Sequence, residues 1–108
     1  MSQLQELQFP IDQAIFAEVL KAIPNGWTRA RLEAKASEIG PNSTRISVRI
    51  DGLGQPGVAV VSDELQDRVR ELFSLNERFK TDLVGIDYSY SLDPDGRWDF
   101  SGDYEYSS

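Results

Sequence analysis

The chain has 108 residues, 40% of them hydrophobic, with 18 acids against 11 Lys and Arg, a net charge of −7 and no His or Cys. That length fits one domain and leaves no room for two. The composition excludes disulfides, thiolate metal sites and a His or Cys catalyst. So acidic a surface repels a phosphate backbone, which disfavours nucleic acid and favours a basic protein partner.

Nothing near the N-terminus has the basic cluster and apolar run of a signal peptide. No later stretch approaches the roughly 18 apolar residues of a membrane span. The lack of Cys suits a reducing compartment. A cytoplasmic protein with no membrane association is therefore expected, residues 1–108 forming a single α+β domain. Residues 1–9 are left outside the first element, as a lead open to disorder.

The first element is a helix over Pro10–Ile23. Pro10 suits a first-turn position, where its missing N–H costs nothing, and Ile11, Ala14, Ile15, Val19, Ala22 and Ile23 recur at helical spacing. Pro24-Asn25-Gly26 stops it. Thr28–Ile39 is rich in good helix formers, yet Ala30, Leu32, Ala34 and Ala36 alternate strictly with polar residues, so it reads as a strand. Gly40-Pro41-Asn42 turns the chain into a second strand, Ser43–Asp51, with Ile46, Val48 and Ile50 inward. A loop rich in Gly and Pro leads to a short third strand at Val58–Val61.

Ser62 is a suitable N-cap, with Asp63 and Glu64 in the first turn of a helix running to about Leu83. Leu65, Val69, Leu72, Phe73, Asn76, Phe79 and Leu83 keep its 3–4 spacing, and only Asn76 is polar on that face. Val84, Ile86, Tyr88, Tyr90 and Leu92 then alternate with small or polar residues. After Asp93-Pro94-Asp95-Gly96 the alternation resumes at Trp98, Phe100, Gly102, Tyr104 and Tyr106. This is a hairpin with a type I turn at Pro94-Asp95 and Gly96 left-handed. Its register sets Leu92 opposite Trp98, Tyr90 opposite Phe100, Ile86 opposite Tyr104 and Asp87 opposite Asp103. The order α-β-β-β-α-β-β predicts a two-layer α+β domain, an antiparallel sheet of about five strands with helices on one face.

Charge is segregated along the chain. From Asp82 onward seven acids face one base, Arg97, whereas Arg29–Arg49 holds five bases against Glu33 and Glu38. The candidate partner-binding residues are the acids of the last hairpin: Asp87, Asp93, Asp95, Asp99, Asp103 and Glu105. Like charges directly across a strand pair repel, and a basic surface docking there would offset that cost. The plainer reading is a charged edge strand protected from aggregation. The series D-P-D-G-R-W-D lacks the further ligands of a calcium loop, and the hairpin aromatics fit a core better than a stacking platform. Gly52–Gly57 has no following helix to hold a phosphate. No catalytic residues, metal or cofactor are assigned, and the chain is not expected to be an enzyme.

Three segments carry a resemblance: Ile23-Pro24-Asn25-Gly26-Trp27 after the first helix, the central amphipathic helix, and Asp95-Gly96-Arg97-Trp98-Asp99-Phe100 leading to Asp103-Tyr104-Glu105-Tyr106. Together they resemble the YezG-like family of bacterial immunity proteins (antitoxins), with its "I-P-x-G-W" step, "D-G-[KR]-[aromatic]" turn and "D-Y-x-Y" strand. The match follows the order of elements over most of the chain and is weakest over Ser37–Pro56. It implies a small cytosolic protein that binds and neutralises a cognate toxin, often a nuclease domain of a polymorphic or contact-dependent growth-inhibition system. Gly26, Trp27, Gly96 and Trp98 are expected to shape the fold rather than to bind. The alternative is a non-enzymatic adaptor or regulatory domain that self-associates through an exposed strand edge or binds another protein.

Overall fold

The computed structural model describes residues 3–40 and 43–106, so Pro41 and Asn42 of the expected turn lie outside the described residues. The chain runs α1 (Gln3–Ala22), β1 (Arg29–Gly40), β2 (Ser43–Asp51), α2 (Asp63–Arg78), β3 (Leu83–Leu92) and β4 (Trp98–Tyr106). The strands form one antiparallel sheet in the order β2-β1-β3-β4.

The sheet has four strands, not five, among the described residues. Val58–Val61, expected as the third strand, alternates in burial, with Ala59 in the core and Val58 and Val60 exposed. It makes no backbone–backbone hydrogen bond to any of the described residues, however. A strand pattern without a ladder partner remains extended coil.

Both helices end or start away from their expected bounds. α1 begins at Gln3 with Pro10 inside it, and its early turns are tethered where Asn76 Nδ2 donates to Gln8 Oε1 at 3.1 Å. α2 starts as expected, the Ser62 hydroxyl accepting from the Leu65 N–H at 3.1 Å. It stops at Arg78, because Phe79 is its C-cap and Lys80 adopts a left-handed φ of 58°. Leu83 therefore belongs to β3. The buried Asn76 is fully used: it donates to Gln8 and to the Leu72 carbonyl and accepts from the Thr81 hydroxyl at 3.0 Å.

The last hairpin has the expected register at every named pair. Asp93 N–H donates to the Arg97 carbonyl at 2.8 Å, Gly96 N–H to the Asp93 carbonyl at 3.0 Å, and Gly96 has φ 85°. One irregularity, between Leu83 and Gly85, puts Leu83 rather than Val84 in the core.

The even-numbered residues within Ala30–Ala36, Ile46–Ile50, Ile86–Tyr90 and Trp98–Tyr104 face the helices. Ala30, Leu32, Ala34, Ile86, Tyr88 and Tyr90 are buried there beneath Ile15, Val19, Val69 and Leu72. Phe16 of α1 stacks on Tyr90, centroids 5.6 Å apart, and tilts against Phe100 at 4.9 Å. Gly102 lets the chain pass the Tyr88 ring, where an added Cβ would sit 2.7 Å from Cε1. Trp27 closes one end of the core, its Nε1 donating to the Pro56 carbonyl at 2.6 Å.

Candidate functional site: the open face of the sheet

With both helices on one face, the odd-numbered side chains within Arg29–Ser37, Arg45–Asp51, Gly85–Ser91 and Asp99–Glu105 stand on a face that no element among the described residues covers. The registers line them up in rows across the strands. One row runs Arg49, Glu33, Asp87, Asp103. The row on one side of it runs Asp51, Arg31, Ser89, Ser101, and the row on the other runs Ser47, Lys35, Gly85, Glu105. Beyond these, Arg29, Ser91 and Asp99 align on β1, β3 and β4. The bases thus occupy the β2–β1 half, and Asp87, Asp99, Asp103 and Glu105 occupy the β3–β4 half with no base among them.

The six candidate acids are not equivalent. Asp99, Asp103 and Glu105 are exposed on β4, and Asp95 is exposed at the tip of the turn. Asp93 Oδ1 accepts the backbone N–H groups of Asp95 and Arg97, both at 2.9 Å, so this carboxylate holds the turn. Asp87 has a base at its side: Arg31 of β1 grips its carboxylate through Nε, at 2.8 and 3.0 Å, and through Nη2. That guanidinium also lies 3.2 Å from Glu33. The hydrogen bonds from Arg31 hold the Asp87 carboxyl below its ordinary pKa, and the same pair raises that of Arg31. The hairpin read alone left Asp87 facing Asp103 without relief, and Arg31 supplies it from the neighbouring strand. The pairing depends on β1 lying beside β3, which no local pattern reports.

Gly85 leaves a gap in this face, a shallow cleft of about 240 Å³ edged by Lys35, Asp87, Asp103 and Glu105. Among the described residues no group of three or more acidic side chains is placed to hold a metal ion.

The inner face carries a carboxylate that the sequence reading passed over. Asp12 of α1 accepts the Tyr88 hydroxyl and, at 2.9 Å, the Tyr104 hydroxyl. Burial raises its pKa against the lowering effect of those hydrogen bonds. Burial also pushes Tyr104 up to about 12 and Tyr88 higher still. These groups fasten α1 to β3 and β4. Asp12 was visible only as a polar residue in a helical pattern, and the expected helix–sheet contact was apolar. The Tyr90 hydroxyl, buried nearby, has no hydrogen-bond partner among the described residues.

No protein-family model matches the chain, and no curated protein matches it significantly. Among the described residues no helix is long and apolar enough to cross a membrane.

Proposed function

We propose that this chain is an immunity protein (antitoxin) of the cytoplasm, which binds and neutralises a cognate bacterial toxin, a nuclease domain by preference, through its acidic surface. The observation that carries the reading is the bare β3–β4 half of the sheet. Asp99, Asp103 and Glu105 stand there exposed, with Asp95 at the adjoining turn and Asp87 behind them. A row of carboxylates on a rigid strand suits a surface built to receive phosphates, because both satisfy the same basic side chains. Asp93 is assigned to the turn rather than to the docking surface. The absence of His and Cys from the sequence weighs against a catalytic role, and the resemblance to YezG-like immunity proteins points the same way.

The test is a tagged pull-down from the native host followed by expression of each retained protein alone and with this chain. The reading predicts one basic protein that arrests growth alone and is harmless in the pair. Retained proteins that are all harmless alone would contradict it.

A further inference from the structure

We infer that copies of this chain join edge to edge, β4 of one copy adding to β2 of the next in a single antiparallel register. The inference does not rest on the proposed toxin partner. The sheet order leaves β2 and β4 as its two free edges, and a free edge offers unpaired main-chain groups to another strand.

The ladder bonds fix which groups are free. Asp93 N–H donates to the Arg97 carbonyl, so alternation places odd-numbered β4 residues in the ladder with β3 and leaves the main-chain groups of 98, 100 and 102 on the free edge. Leu92 N–H donates to the Thr28 carbonyl, so even-numbered β1 residues bond to β3 and odd-numbered ones to β2. The main-chain groups of Ile46, Val48 and Ile50 are then free on the far side of β2. Both edges present their even-numbered residues, and even must pair with even.

One register satisfies the side chains as well. With Phe100 opposite Val48 of the next copy, Asp99 meets Arg49, Asp103 meets Arg45, Arg97 meets Asp51, and Ser101 meets Ser47. Every charge in those four pairs faces its opposite. On the helix side Trp98 lies opposite Ile50 and Phe100 opposite Val48, extending the apolar layer where Trp98, Phe100 and Val48 are now only half-buried. A shift by two residues one way places Asp99 on Asp51, and the other way Arg97 on Arg49. Pairing β4 with another β4 about Phe100 makes two opposite-charge pairs (Arg97 with Asp103, twice) and leaves Asp99 on Ser101, and pairing β2 with β2 about Val48 makes two (Asp51 with Arg45, twice) and leaves Arg49 on Ser47, each fewer than the three of the head-to-tail register. The joint is therefore head-to-tail and leaves a free edge at each end, so it builds an open chain of copies rather than a closed dimer. Each opposite-charge pair favours the joint modestly, and the net charge of −7 opposes it. Ions at physiological strength screen that long-range repulsion more than they weaken pairs in contact.

The register is tested with thiols, because the chain has none of its own. Ser47 and Ser101 are exposed, and in this joint they form a non-hydrogen-bonded pair with Cα atoms about 4.5 Å apart, close enough for a disulfide. Mixing Ser47→Cys with Ser101→Cys under mild oxidation is expected to give the mixed dimer as the main covalent product. Either variant alone should give no covalent dimer, because its Cys faces a serine in the joint, and adding Arg45→Glu and Arg49→Glu to the first should abolish the mixed product. Equal yields of mixed and like dimers, or no cross-link at protein concentrations up to about 1 mM, would overturn the inference.

Discussion

One four-stranded sheet carries two faces that the same alternation produces and that behave oppositely. Toward the helices, Tyr88, Tyr90, Leu32 and Ile86 are packed beneath α1 and α2 with a single half-buried carboxylate, Asp12, tied to two phenols. Away from them, charges stand in rows with few fixed partners, and the Arg31–Asp87 pair is the main exception. On the inner face shape fixes each residue. On the outer face a residue can change sign while the fold stays in place, and that freedom is what a recognition surface needs.

The largest effect should come from breaking the inner face. Tyr88→Ala removes a ring in edge contact with Phe100 and Tyr104 and releases Asp12 from one hydroxyl. A loss of about 3–5 kcal/mol is expected by denaturant unfolding. Gly102→Ala brings a methyl group against the same ring and should cost about 1–3 kcal/mol, measured in the same way.

A smaller effect separates the two carboxylates by sign. The pKa of Asp12 is raised in the folded protein, so its contribution to stability is full below the unfolded value of about 3.9 and is lost as pH rises through the folded value. The pKa of Asp87 is depressed, so its contribution is full above that unfolded value and is lost as pH falls through the folded one. Urea unfolding from about pH 2 to pH 6 should show wild type losing ground to Asp12→Asn as pH rises and gaining ground on Asp87→Asn. Two slopes of the same sign would break the distinction between the faces. Smallest of all, the triple reversal Asp99→Lys, Asp103→Lys, Glu105→Lys should leave unfolding free energy within about 0.5 kcal/mol of wild type.

Local chemistry made much of this fold legible. Asp93-Pro94-Asp95-Gly96 set the hairpin turn and hence every pair from Leu92–Trp98 to Asp87–Asp103. Strict alternation outweighed helix propensity over Arg29–Gly40. What failed was non-local. Val58–Val61 has the pattern of a strand but no neighbour to bond, and Leu83 continued the helical spacing of α2 although Phe79 and Lys80 had already ended the helix. The candidate site was legible as a set of acids but not as a balance of charges. Asp93 is spent on its own turn, and the base beside Asp87 comes from a strand more than fifty residues earlier in the chain. Asp12 stayed hidden because its value comes from two tyrosines on the last hairpin.

The most direct test of the account is the affinity of the toxic partner retained from the host, titrated by calorimetry against wild type and against the triple reversal at Asp99, Asp103 and Glu105. The account predicts that the reversal weakens binding at least a hundredfold, about 2.7 kcal/mol, while unfolding free energy is unchanged. Equal affinity of the partner for both proteins would show that the acidic face is a protected edge and that recognition lies elsewhere.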